Sequence, residues 1–122
     1  MTKSRGNILY ELDGKPALDL YKEYLGADAE RLPGSALLFP LLLHPENEPD
    51  NSLVRTIVGV DEEKKSMIFA GDIPEGYTAQ LMNGNFSNLI DGASRAAELA
   101  LPENNPGTHC FAVLVSCIGR KL

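Results

Sequence analysis

The alternation of apolar and polar positions is clearest in residues 53–76, LVRTIVGVDEEKKSMIFAGDIPEG. Val54, Thr56, Val58 and Val60 interleave with Leu53, Arg55, Ile57 and Gly59, the period of a strand whose successive side chains point to opposite faces. The set is largely β-branched and suits a pleated surface. Both faces are mostly apolar, which predicts one strand over 53–60 covered on both sides. Asp61-Glu62-Glu63-Lys64-Lys65 is a charged run of hairpin-loop length. A pairing strand follows over 66–71. Asp72-Ile73-Pro74-Glu75-Gly76 then makes a turn, with Pro74 presetting φ at its second position and Gly76 at its fourth. YTAQLM at 77–82 is a further strand.

The rest of the chain is read around that centre. Residues 8–12 form a short strand that Asp13-Gly14 ends. Pro16 suits a helix first turn, where its missing N–H costs nothing. The helix over 16–25 places Ala17, Leu18, Tyr21, Tyr24 and Leu25 on a buried stripe, with Asp19, Lys22 and Glu23 facing water and Gly26 as terminator. Asp28 caps one more turn through Leu32, which Pro33-Gly34 stops. The apolar run 36–43, ALLFPLLL, fits a strand. Pro40 lacks a donor and makes that strand an edge or a bulge. HPENEPDNS at 44–52 is a polar loop. Asn83-Gly84 turns the chain and Asn85 is an N-cap. A helix over 86–101 presents Phe86, Leu89, Ile90, Ala93, Ala97 and Ala100 on its inner face. Residues 110–118 are the most apolar run and are expected as a central strand. The order βαββββαβ predicts an α+β domain, a mostly antiparallel sheet with two main helices packed against it.

Composition narrows the functional classes. A chain of 122 residues is expected to be one domain spanning 1–122 with its own core. The net charge of −6 argues against nucleic acid and anionic membranes, which need clustered Lys and Arg. No run approaches the ~18 apolar residues of a membrane span. MTKSRGN has no apolar segment behind its charges, unlike a secretory signal. Cys110 and Cys117, on one predicted strand, stand ~23 Å apart and face opposite sides, too far for a disulfide. Free thiols without a signal point to the cytoplasm.

Five ordered blocks carry a family resemblance. ILYELDGKPALDLYKEYLG, RTIVGVD, FAGDIPEG, LMNGN and SCIGR resemble the C-terminal module of the FIST family over roughly 8–120, without that family's N-terminal half. The resemblance implies an intracellular sensory module attached to signalling outputs. It implies a small polar, amino-acid-like ligand. Some members bind haem, and some are joined to F-boxes. Family modules continue past SCIGR with further strand and helix, so the chain looks like a fragment, a trimmed piece or a minimal member. A strand edge left open at that end would favour a homodimer.

Arg55 lies on an apolar strand face, where a guanidinium needs a carboxylate or carbonyl partner. Asp72, ending the paired strand, is a candidate. Arg55 is either half of a structural ion pair, an edge-exposed Arg, or a fork for a ligand carboxylate. Asp61 and Asp72 frame the hairpin, as turn residues or as an acid–base pair. Cys117 has Arg120 nearby, a setting that lowers a thiol pKa, against the alternative of a core cysteine. Arg55, Asp72, Cys117 and Arg120 are the expected ligand-binding patch. His44 and His109 stand at strand–loop junctions, solvated or as haem ligands. No metal ligand set, phosphate loop or catalytic motif is present. The expectation is a non-catalytic sensory, ligand-binding module with no cofactor, haem being the alternative. The rival is an adaptor that binds a partner chain through an exposed sheet edge.

Overall fold

The structure, a computed structural model, describes residues 1–47, 51–101, 111 and 113–117. The chain divides into two compact units, Met1–Asn83 and Gly84–Leu122.

The first unit holds strands β1 (Lys3–Arg5), β2 (Ile8–Leu12) and β3 (Lys15–Pro16), then helix α1 (Ala17–Leu25) and two short 3-10 segments, Gly26–Arg31 and Gly34–Leu38. Strands β4 (Leu41–His44), β5 (Leu53–Arg55), β6 (Ile57–Asp61), β7 (Ser66–Phe69) and β8 (Thr78–Leu81) follow. Every pairing among them is antiparallel. One sheet runs β1-β2-β7-β6, with β3 also on β2, and the other runs β5-β4-β8. The α+β class and the rough order of elements therefore stand.

The predicted strand over 53–60 is two strands. It leaves one sheet at Arg55 and enters the other at Ile57. Thr56 is the corner, and its carbonyl accepts the Ala70 N–H at 2.9 Å. A register shift between Ile57 and Gly59 marks the bend, the usual device where a strand changes sheets. Coverage on both faces fails as a result: Ile57 is fully buried, but Val54 and Val58 are about half exposed. The run 36–43 is also not one strand. It begins as a 3-10 turn, and β4 starts only after Pro40. Pro40 is thus clear of the ladder, and its carbonyl accepts from Met82 N at 2.9 Å. β4 becomes the middle strand of its sheet rather than an edge.

Leu9, Leu18, Leu43, Ile57, Met67 and Phe69 are the largest fully buried apolar side chains. Helix α1 adds Ala17, Tyr21 and Leu25 to this core. Gly26 ends it, with φ of 58°, a left-handed value that suits a residue without Cβ. The helix start is tied to the β6–β7 turn. Leu18 N donates to Lys65 O at 3.0 Å, and Lys65–Asp19 and Lys22–Glu62 pair at 2.6 and 2.7 Å. Asp28 makes no side-chain cap; it pairs with Arg31 instead. The turn before β8 is displaced by one residue from expectation. Gly76 adopts φ of 80°, the left-handed third position of a type II turn. Residues 73–76 run beside β1, with Ile73 N on Gly6 O at 2.8 Å and Ser4 Oγ on Ile73 O at 2.6 Å.

In the second unit, helix α2 spans Phe86–Ala100, and the Asn85 side chain accepts from Asn88 N at 2.8 Å. That is the cap expected from the sequence. Within this unit α2 buries no residue. Phe111 and residues 113–117 carry no strand and are exposed. The expected central strand over 110–118 is therefore not found among the described residues. An apolar run becomes a strand only where another strand takes its backbone groups, and none pairs with it there.

Candidate functional site

The polypeptide turns sharply between β2 and β3. Asp13 and Gly14 both have positive φ, 51° and 74°, as a two-residue type I′ hairpin requires. Asp tolerates the left-handed region better than most residues with a Cβ. Gly14 N donates to Thr2 Oγ1 at 3.1 Å, which fixes the tip. The turn leads through the two residues of β3 into α1.

Beside this turn lies a cavity of about 360 Å³. Helix α1 gives it Leu20, Tyr21 and Tyr24, while Leu41 of β4 and Thr78, Ala79 and Leu81 of β8 form the facing wall. Leu12, Asp13 and Met1 complete it. Alternation along β8 brings Ala79 and Leu81 onto one face. Tyr21 is buried, and its hydroxyl donates to Phe39 O at 2.9 Å. Loss of water around the ring pushes its phenol above the usual range. Tyr24 was expected on the buried stripe with Tyr21, yet it is 71% exposed. It stands where the helix stripe passes off the core and over the cavity. No hydrogen bond or ion pair engages the Asp13 side chain among the described residues. The Met1 nitrogen is engaged by Tyr77 O at 2.6 Å.

Two of the expected site residues do come together. Arg55 Nε donates to Asp72 O at 2.8 Å and Nη1 to Val54 O at 3.2 Å. The partner is the Asp72 backbone carbonyl rather than its carboxylate. The guanidinium lies over Gly71, so close that a Cβ there would sit 3.2 Å from Nε. Arg55 thus straps the corner where the chain changes sheets. Cys117 belongs to the second unit and is an exposed, free thiol. Arg120, Cys110 and His109 lie outside the described residues.

Asp61 is engaged in turn chemistry: its Oδ1 accepts Lys64 N at 3.0 Å and Oδ2 pairs with Lys64 Nζ at 3.2 Å. The backbone N–H of Lys64, then its side chain, hold the Asp61 carboxyl below its usual range. His44 is the last residue of β4, opposite Thr78. No cluster of His, Cys, Asp or Glu suited to a metal occurs among the described residues. No helix among them is long and apolar enough to cross a membrane.

The sequence reading missed the cavity, because its walls come from separated segments. The available signals were the Asp-Gly hairpin dipeptide directly before a helix and a second tyrosine three residues beyond Tyr21. Neither points to a cavity until β8 is placed opposite α1.

Comparison with curated proteins and with solved structures gave no match. The FIST C domain matches residues 17–122, from the first residue of α1 onward. That span includes both α1 and the β4–β8 wall of the cavity, and β1, β2 and the Asp13 turn precede it. With nearly its whole length matching this signal-transduction-associated domain, the chain belongs to the FIST C domain family.

Proposed function

We propose that this chain is a non-catalytic sensory module that takes a small ligand in the cavity between α1 and β8. The observation that carries the reading is that cavity of about 360 Å³, within the ~300–1,000 Å³ typical of ligand sites. Its lining has the same character as such sites: a mostly apolar body with a few polar groups, here Asp13, Thr78 and the tyrosines. The chemistry on offer is recognition. No His, Cys or Lys lines the cavity, and Asp13 is the one candidate base there, without a second group placed to act with it. β8 also ends two residues before the boundary between the units. A ligand that orders β8 acts on the segment that leads into α2.

Native mass spectrometry of the purified chain tests for a retained ligand. Thermal shift with a panel of amino acids and small amines follows. The expected result is a molecule that raises Tm in the native chain and fails to do so in Tyr24→Ala. If no retained or added molecule protects the native chain, the sensory reading falls.

The adaptor reading draws on the strand edges at β5 and β6, where Val54 and Val58 are about half exposed. β5 offers only Leu53–Arg55, and such short edges resist strand addition. The cavity is preferred for that reason. Sedimentation velocity separates the two: concentration-dependent association lost in Val54→Lys would favour the edge.

A further inference from the structure

We infer that the cavity selects a small organic monocation with an apolar body, an amine and not a carboxylate. This rests on the ligand-binding reading above and adds the charge class of the ligand. Asp13 is the one side chain lining the cavity that carries a formal charge, and no Lys, Arg or His lines it. Four other acidic groups of this unit have lysine partners: Glu11 with Lys3, Asp19 with Lys65, Asp61 with Lys64 and Glu62 with Lys22. Asp13 has no such partner among the described residues. It is also held in a left-handed conformation at a hairpin tip, which fixes where its carboxylate starts from.

Tyr24 supplies the second element. Its ring is 71% exposed at the mouth of the cavity. A tyrosine face attracts a cation within about 6 Å of its centre. The leucines and Ala79 suit the apolar body of the ligand. A net charge of −6 favours approach of a cation and disfavours an anion. A ligand carboxylate placed in this cavity would face Asp13, while the one cation among the lining groups, the Met1 ammonium, already donates to Tyr77 O at 2.6 Å; desolvating the carboxylate there would be costly.

The test uses the full chain and three isosteric probes followed by NMR titration: 2-phenylethylamine, neutral 2-phenylethanol and anionic 3-phenylpropionate. The amine is expected to bind about tenfold or more tightly than either of the others, as a charge-assisted hydrogen bond warrants. Asp13→Asn is expected to erase most of that preference. Asn also tolerates positive φ, so this variant keeps the turn. Tyr24→Ala is expected to weaken the amine too, and Lys15→Ala to leave it unchanged. Equal or tighter binding of the propionate overturns the inference, as does amine binding indifferent to Asp13→Asn. If the neutral alcohol matches the amine and both need Tyr24, the charge class is wrong while the cavity reading survives. If the amine does not bind and some other molecule still protects the chain through Tyr24, the same conclusion follows. If nothing protects it, both readings fall.

Discussion

Replacing Arg55 by Ala tests what holds the corner between the two sheets. The guanidinium makes one short bond to Asp72 O, 2.8 Å, and one longer bond to the neighbouring Val54 O, 3.2 Å. A hydrogen bond from a charged donor contributes about 1.5–3 kcal/mol when it is fully withdrawn from water. Arg55 is half-buried and Asp72 exposed, so water can take over part of the freed carbonyl, and the longer bond adds little. The expected loss is about 1–2 kcal/mol. Urea unfolding at constant m reads it directly. Because the acceptors are backbone carbonyls, Asp72→Asn should change stability by less than ~0.5 kcal/mol, and added salt should leave the Arg55→Ala difference nearly intact. A loss under ~0.5 kcal/mol for Arg55→Ala would show that the corner does not depend on the strap. A large, salt-sensitive effect of Asp72→Asn would show instead that the carboxylate is the partner.

Three further outcomes are expected. Phe69→Ala, at a position 1% exposed at the end of β7, should cost about 3–5 kcal/mol in the same unfolding assay. The Tyr21 phenol is raised by burial, so the unfolded chain loses that proton first, at about pH 10. The contribution of Tyr21 is therefore complete below pH ~10 and declines as pH rises further. Tyr21→Phe should flatten that alkaline decline in pH-dependent melts, and an unchanged slope would refute the burial argument. Hemin titration should give no stoichiometric Soret band that His44→Ala or His109→Ala abolishes; a histidine-dependent band would make haem a ligand of this chain.

Local signals were legible wherever the local chemistry had one outcome. Pro16 and Gly26 bracket α1 to within a residue. Asn85 caps α2, and the charged run 61–65 is the β6–β7 turn. Failures came where tertiary pairing decided. Residues 53–60 look like one β-branched strand, because nothing in the alternation records that Arg55 and Ile57 pair in different sheets. Pro40 carried usable information, since β4 begins immediately after it. The inference drawn from it was wrong in kind: a missing donor excludes Pro from the ladder and says nothing about whether the strand that follows is central. β1 escaped notice because KSR has no apolar period; it is placed by its pairing with β2 and by the bonds of Ser4 to the Ile73 carbonyl and the Glu75 side chain.

The candidate site follows the same logic. Arg55 was legible as a residue in need of an oxygen, and Asp72 supplied it, through the main chain and not the side chain. Sequence reasoning favours side-chain partners because those are what a sequence displays, whereas every residue carries a carbonyl. The cavity failed to register for the opposite reason. Leu20, Leu41 and Leu81 each look like ordinary core, and Asp13 looks like an ordinary turn residue. What distinguishes them is a space that none of them fills. Among the residues of the cavity Tyr24 broke pattern, since a helix stripe that buries Tyr21 should bury the residue three positions on. An aromatic ring at a predicted core position that the fold leaves exposed is a physical anomaly, and here it stands at the mouth of the cavity. That makes Tyr24 the position from which loss of ligand protection is most directly measured.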